Sequence, residues 1–96
     1  MELVATEDVL AKILDKHDVD LLEAEEAFFN HEGRYLIDGR EKHRTNPPTV
    51  WFISETFAGR LLKIVMIPHM KQQMAILRTA YEPNDLEIQL YEENQR

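Results

Sequence analysis

The sequence predicts an α+β fold in which two helices precede an antiparallel sheet and one helix follows it. Three observations support this prediction. Residues 6–29 carry apolar side chains at helical spacing, residues 34–81 change to β-rich runs, and the last segment returns to helical spacing. Because helices and strands are segregated along the chain, they indicate α+β and not a wound parallel sheet.

A short edge strand at residues 3–5 and a helix after Thr6 open the predicted fold. The Thr6 hydroxyl can accept a hydrogen bond from an early helical N–H group, so Thr6 is the predicted N-cap. Side chains at helical spacing then predict one buried stripe along this helix. The stripe consists of Val9, Leu10, Ile13, Leu14 and His17.

A second helix is predicted to begin at Asp20, after a break in the helical pattern. Asp20 and Glu23 have the spacing of a capping box, in which each side chain accepts a hydrogen bond from the other residue's backbone N–H. The helix runs through Phe29, and Asn30 and Gly33 are its predicted terminators. The two helices form a predicted hairpin.

Four β-rich runs follow, and they predict an antiparallel meander of three or four strands. Pro47 and Pro48 keep the connection after the first run irregular, and Pro68 is predicted to close the third. The second and third runs have hairpin spacing. Lys63 interrupts an otherwise apolar run, so one sheet face is predicted to be partly open. The runs cover residues 34–38, 50–55, 60–67 and 74–81.

The predicted fold ends with a third helix. Asn84 is its N-cap, and Glu87 occupies the third helical position as in a capping box. Leu86 and Leu90 are expected to dock this helix on the sheet, with Glu87 and Tyr91 sharing another side. No repeat or flexible linker divides the chain, so residues 1–96 are expected to form one domain.

Composition excludes several classes of protein. The 96 residues include no cysteine, which excludes disulfide scaffolds, zinc fingers and thiol catalysis. No apolar run is long enough to span a bilayer, and residues 1–4 lack the features of a signal peptide. We therefore expect a cytoplasmic domain without a membrane partner.

The formal net charge of −7 hides an uneven distribution. Residues 1–32 carry ten acidic and only two basic side chains, whereas residues 33–81 carry eight basic and three acidic ones. Residues 82–96 are again acidic. An acidic total argues against generic nucleic-acid binding, but the local sign of the charge matters more to a binding surface. The middle of the chain is basic.

Several short motifs follow one another along the chain. They are KILDKHDV at residues 12–19, EEAF at 25–28, GRLLKIV at 59–65 and RTAY at 78–81, followed by Glu87 and by Tyr91 with Glu92. In this order they resemble BrnT-type toxins, which belong to the RelE/ParE-like group of small type II toxin–antitoxin toxins. The resemblance implies a compact α+β toxin with ribonuclease activity, neutralised by a cognate antitoxin encoded beside it.

A metal-independent ribonuclease needs a cation beside the reacting phosphate and one or two proton-transfer groups. Neighbouring strands can present such cations on one face if their registers align. The start of the last helix offers free N–H groups to an anion, and a histidine suits proton transfer near neutral pH. The candidate catalytic residues are Arg78, Arg60, Lys63, Tyr81, Glu87 and His17.

Each candidate also has a structural interpretation. Arg60 has the position of a solvated turn residue, and Lys63 can protect a sheet face from aggregation. Arg78 can pair with a carboxylate, and Tyr81 can be a core aromatic. Glu87 can serve only the helix cap, and His17 can serve only the end of the first helix.

Other chemistry has weaker support. The loop Arg40-Glu41-Lys42-His43-Arg44 is a second RNA-facing candidate, although a surface loop is its simpler interpretation. The four histidines are scattered, so no metal site is expected. No fingerprint of a phosphate loop, serine nucleophile or hydride cofactor is present, and no cofactor is expected.

Two alternatives to the ribonuclease stay open at the level of sequence. In the first, a non-catalytic interaction module uses the same scaffold, and its acidic helices bind a basic partner or a second copy of the chain in a homodimer. In the second, a toxin of this fold acts on a protein target such as gyrase without cutting RNA.

Overall fold

Five strands and three α-helices make up the described part of the structure. The strands are β1 (Glu2–Val4), β2 (Leu36–Ile37), β3 (Val50–Glu55), β4 (Leu61–His69) and β5 (Met74–Tyr81). The helices are α1 (Glu7–His17), α2 (Leu21–Phe29) and α3 (Asp85–Glu93). This computed structural model describes residues 1–40 and 45–95. The predicted α+β class is confirmed.

The strands form one mixed sheet in the order β1-β5-β4-β3-β2. All neighbours pair antiparallel except β1, which lies parallel to β5 with Leu3 opposite Ala75. The prediction of a three- or four-stranded antiparallel sheet is therefore wrong in strand number and in the direction of β1. Local sequence pattern does not report this pairing, because β1 and β5 lie near opposite ends of the chain.

The helices begin where their caps were predicted. The Thr6 Oγ1 accepts from the Val9 N–H at 3.2 Å, and both Asp20 and Asn84 form complete capping boxes. Residue Asp18 ends α1 in the left-handed conformation and turns the chain toward α2. No helix within residues 1–40 and 45–95 combines the length and apolarity of a membrane span.

The sheet is covered unequally on its two faces. On the first face the register aligns Phe52, Ile64 and Ala80, all fully buried, and Phe28 of α2 packs on Phe52 with ring centroids 6.5 Å apart. On the second face α3 contacts β3. The part of that face over β4 and β5, which includes Lys63, stays partly open. The prediction that one sheet face is partly open, which was based on the position of Lys63 in the β-rich run, is therefore confirmed.

The face of α3 that meets the sheet differs from the prediction. Leu86 is 73% exposed and Leu90 is also exposed, whereas Tyr91 is buried and its ring lies 5.9 Å from that of Trp51. Glu87 is drawn to the sheet by Lys63, which fixes the rotation of the helix. Leu14 in α1 is likewise exposed, and Ile13 is the fully buried residue of its stripe.

Pro68 does not end its strand, contrary to the prediction. It lies inside β4 and pairs with Ala75 of β5. The pairing of β3 with β4 stops at Val50 opposite Met66, so Pro68 has a neighbouring strand on one side only. A proline without an N–H donor is tolerated at such an edge position.

Candidate functional site

A groove of about 470 Å³ lies on the open part of the sheet. Its walls come from α1, β4, β5 and the segment that precedes β3. Most of its charged side chains are basic, and Asp38 is the one acidic residue among the described lining residues. The lining cations are Lys12, Lys16, Arg40, Lys63 and Arg78. This excess of positive charge fits an anionic ligand.

Arg78 reaches the groove from an irregular position in β5. Val65 pairs with Thr79 and Met66 pairs with Leu77, so Arg78 lies in a β-bulge between two register positions. A bulge bends the strand and redirects the extra side chain. The exposed Arg78 side chain forms no hydrogen bond or ion pair with any other residue in the described part of the chain. Within residues 1–40 and 45–95, no carboxylate competes with a bound anion for its guanidinium.

Lys12 and Lys16 bring two further cations from α1, and neither was among the predicted site residues. They are one helical turn apart on the same side of α1, and no carboxylate in residues 1–40 and 45–95 pairs with them. The sequence distinguishes them only as the two basic residues of the acidic segment 1–32. Arg40 differs, since Asp38 binds it through two oxygens at 3.0 and 3.1 Å.

Lys63, Glu87 and Tyr81 form a compact hydrogen-bonded network in the wall of the groove. The Glu87 carboxylate accepts from the Lys63 ammonium at 2.6 Å and from the Tyr81 hydroxyl at 2.8 Å. The register places Lys63 opposite Tyr81, and Nζ of Lys63 lies 4.4 Å from the centre of the Trp51 ring. The charge of Lys63 is thus largely neutralised within the protein.

This network fixes the protonation states of its two acids. Burial raises the pKa of Glu87, but hydrogen bonds from Lys63, the Asn84 backbone and Tyr81 outweigh burial and lower it below its usual value. Burial is also the main reason why the pKa of Tyr81 is raised. At neutral pH Glu87 is therefore an acceptor, and Tyr81 remains a phenol that donates.

Among the described residues that line the groove, His17 is the one histidine. Its ring is half-buried and tilted against the Tyr81 ring, with centroids 5.2 Å apart. No hydrogen bond from another described residue occupies the imidazole nitrogens. His17 thus combines proximity to Tyr81 with free polar atoms.

Arg60 does not share the groove with Lys63 and Arg78. Its guanidinium donates to the carboxylates of Glu23 and Glu82 at 2.9 and 3.0 Å, and to the backbone oxygens of Asp18 and His17 at 2.7 and 3.1 Å. The hydrogen bond to Glu23, followed by the one to Glu82, raises the pKa of Arg60. Arg60 is therefore not the solvated turn residue of its structural interpretation: it fastens the end of α1 to α2 and to the residue after β5.

The predicted basic loop is only partly described, and His69 lies far from Lys63. Of the loop at residues 40–44, residues 41–44 lie outside the described residues, and Arg40, its described member, lines the groove. His69 ends β4, six residues from Lys63 and thus about 20 Å away along an extended strand. Within residues 1–40 and 45–95 no three His, Asp or Glu side chains form a group that could hold a metal ion.

Searches of known protein families, of curated proteins and of solved structures find no match. The resemblance to BrnT-type toxins therefore rests on the order of motifs in the sequence.

Proposed function

We propose that this protein is a BrnT-like toxin of the RelE/ParE-like group, which binds RNA in the basic groove and cleaves it without a metal ion. The observation that carries the proposal is the guanidinium of Arg78, which is unpaired among the described residues and lies beside Lys12, Lys16 and His17. A phosphodiester is the cellular anion that best suits several cations along a groove. We place this activity in the cytoplasm.

The proposed reaction is an internal transfer of a phosphoryl group. The 2′-oxygen of a ribose attacks the adjacent phosphorus while a base takes the proton of the 2′-hydroxyl, and the bond from phosphorus to the 5′-oxygen breaks. The leaving 5′-oxygen receives a proton, so the products are a 2′,3′-cyclic phosphate and a 5′-hydroxyl. Negative charge on the non-bridging oxygens rises in the transition state, and a fixed cation stabilises it.

The groove residues divide these roles. Arg78 contacts the non-bridging oxygens, and Lys12 and Lys16 hold the flanking backbone. His17 transfers protons, since a histidine can both take and give a proton near neutral pH. Tyr81 lines the wall next to His17 and contacts its ring, while its hydroxyl donates to Glu87. Lys63 and Glu87 are positioning residues, because they bind each other and Tyr81.

Replacing Arg78 tests the proposal most directly. We expect Arg78→Ala to lower the rate of RNA cleavage by at least about 100-fold, because an oriented cation is lost from the transition state. Arg34→Ala is the matched control, since Arg34 is also exposed but lies outside the groove. The purified proteins are incubated with single-stranded RNA and EDTA, and cleavage is followed on gels. In a bacterial host, growth and transcript integrity are followed after induction.

The outcomes separate the functions. Growth arrest and RNA cleavage by the wild type and Arg34→Ala, with loss of both in Arg78→Ala, support the ribonuclease. Equal cleavage by Arg78→Ala contradicts the assigned site. If the wild type is harmless and leaves RNA intact, the ribonuclease proposal is wrong.

A cognate antitoxin is part of the proposal. A helical and partly acidic segment would cover the basic groove, because opposite charges speed association and the bound segment excludes RNA. The adjoining open reading frame is then expected to encode a small DNA-binding protein, such as a ribbon-helix-helix protein. Co-expression of that protein should restore growth.

A non-catalytic interaction module is the second candidate. It is favoured by the carboxylates that neutralise Arg60 and Lys63, which remove two of the expected cations from catalysis. This candidate predicts harmless expression of both the wild type and Arg78→Ala.

A further inference from the structure

A second surface lies on the side of α2 that faces solvent. Leu22 and Phe29, seven positions apart in α2, are 63% and 80% exposed. Phe57, in the turn between β3 and β4, is 66% exposed, and its ring packs edge-on against Phe29 with centroids 6.0 Å apart. We call these three side chains the α2 apolar surface. Large apolar side chains grouped in this way are typical of an interaction site.

The α2 apolar surface is held in place from within the chain. The Glu26 carboxylate accepts from the Phe57 N–H at 3.0 Å, and this hydrogen bond links the β3–β4 turn to α2. The Asn30 side chain donates to the Glu55 backbone oxygen at 2.8 Å and adds a second link. Phe29 and Phe57 are thus presented on a fixed framework, which lowers the entropic cost of binding a partner.

A shallow groove of about 400 Å³ continues from Phe29 toward β1. Its apolar lining residues are Met1, Leu3, Phe28 and Phe29. Its charged side chains are those of Glu2 and Glu25, and no lysine or arginine is among the described residues that line it. The groove therefore joins apolar area to negative charge.

The distribution of charge around the α2 apolar surface favours a basic segment over a second copy of the chain. Both basic residues of the segment 1–32, Lys12 and Lys16, line the basic groove, so the remaining charged side chains of this segment are all acidic. A second copy of the chain docked through the same surface would bring Glu25 against Glu25, and like charges oppose such contact. A basic segment meets no such repulsion.

We infer that the α2 apolar surface binds a protein segment that presents large apolar side chains flanked by lysine or arginine. Such a segment seats its apolar residues on Phe29 and Phe57 and in the adjoining groove, while its cations face Glu2 and Glu25. α2 packs on the opposite sheet face from Lys63, so this site is separate from the basic groove. The inference stands whether or not the chain cleaves RNA.

The test uses the full chain labelled with nitrogen-15 and a short amphipathic helical peptide of leucine and lysine. A counterpart in which glutamate replaces every lysine reports on charge. Chemical shifts of backbone amides are followed by NMR during titration of the wild type, Phe29→Ser and Leu86→Ser. Leu86→Ser is the matched control, because Leu86 is similarly exposed on α3.

We expect the lysine peptide to shift the amides of α2 and of residues 56–59. Phe29→Ser should weaken its binding at least about tenfold, and Leu86→Ser should not. Equal binding of the two peptides, shifts confined to other surfaces, or undiminished binding to Phe29→Ser would overturn the inference. So would shifts of the α2 amides that depend on protein concentration without peptide, since they would identify a second copy as the occupant.

Discussion

Arg60, just before β4, and Arg78, within β5, both end in a guanidinium, but their surroundings give them different roles. Arg60 is bound by two carboxylates and by two backbone oxygens near the end of α1. Those oxygens carry the negative end of the helix dipole, which favours a cation there. Arg78 has no such acceptors among the described residues. The sequence shows the residue type, but only the fold shows which guanidinium is already bound by acceptors of the protein.

This contrast predicts that two alanine substitutions differ in the size of their effect on stability. Arg60→Ala should lower the free energy of unfolding by about 2 kcal/mol, because it removes four hydrogen bonds at partly exposed sites. Arg78→Ala should change it by less than about 0.5 kcal/mol, as is usual at an exposed position. Urea unfolding measures both. A larger loss in Arg78→Ala than in Arg60→Ala would contradict the assignment of roles.

Lys63 has a measurable effect on the ionisation of Glu87. In Lys63→Met the partly buried Glu87 loses the strongest hydrogen bond that opposes burial, so its pKa should rise. The free energy of unfolding should fall by about 2 kcal/mol, since one partner of a largely buried ion pair remains alone. Carbon-13 NMR of the Glu87 carboxyl gives the pKa. The double variant Lys63→Met/Glu87→Leu should recover most of the stability, and an unchanged pKa in Lys63→Met would argue against this coupling.

His31 makes stability depend on pH in the mildly acidic range. Its ring packs between Phe52 and Tyr35, with centroids 4.1 and 4.7 Å away, and its buried Nε2 has no hydrogen-bond partner among the described residues. Burial lowers the pKa of His31, although a backbone hydrogen bond at Arg34 opposes the shift. Since the folded pKa lies below the unfolded one, stability present above about pH 6.5 is lost as the pH falls toward the folded pKa.

Urea unfolding between about pH 7.5 and 5 tests this dependence. The wild type should lose stability as the pH falls, and His31→Phe, which keeps an aromatic ring without titrating, should lose less. The ionisation of Glu87 does not contribute to this pH dependence, because its lowered pKa places its effect on stability below about pH 4.5. Equal slopes in the two proteins would rule out His31 as the source.

At the scale of elements, the local signals in the sequence were sufficient to place the helices. Caps at Thr6, Asp20 and Asn84 depend on residues three positions away, and all three are present in the structure. The face that α3 turns to the sheet depends on distant partners, Lys63 and Trp51, and the sequence pattern favoured Leu86 instead. Helix boundaries are local properties, whereas helix rotation is a property of packing.

The bulge in β5 is a second feature that the sequence pattern does not indicate. The run from residue 74 to 81 was correctly predicted as a strand, but strict alternation does not tell which residue falls out of register. Arg78 occupies that position because β4 and β5 shift register between Val65 and Met66. The chemistry of an arginine was thus enough to predict Arg78 as a site residue, but only the fold shows how its side chain is oriented.

The connection before β2 depends on a close approach to the end of α3. Gly33 has a φ of +93°, and a Cβ atom there would collide with the Gln95 side chain. That side chain accepts from the Arg34 N–H at 2.7 Å and donates to the Arg34 backbone oxygen at 3.2 Å. The glycine therefore allows the chain to be held against α3.

Gly33→Ala should lower the free energy of unfolding by about 1–3 kcal/mol, from the left-handed backbone and the displaced Gln95. Gly39→Ala is the control, because no atom of the described residues other than its chain neighbours lies within 4 Å of the position of its added Cβ. It should be neutral or slightly stabilising. Thermal unfolding compares the two variants. Equal melting temperatures for both would show that Gly33 is not required at this position.

At the scale of the whole molecule, segment charges predicted the basic site only in part. The basic segment 33–81 supplies Arg40, Lys63 and Arg78 to the groove, but it also contains Arg60, which turns toward the acidic helices. Conversely, Lys12 and Lys16 come from the acidic segment and line the groove. Charge along the sequence predicts that a cationic surface exists, and three-dimensional packing determines which residues form it.

The parallel pairing of β1 with β5 has a consequence for the order of folding. The hairpin of β3 and β4 joins neighbours in sequence and can close early, whereas Leu3 must wait until Ala75 has been synthesised. During translation β1 is therefore made before β5, its partner strand within the described part of the sheet. The nascent chain carries an unpaired β1 until β5 has been synthesised, and a chaperone that shields residues 2–4 would act on this intermediate.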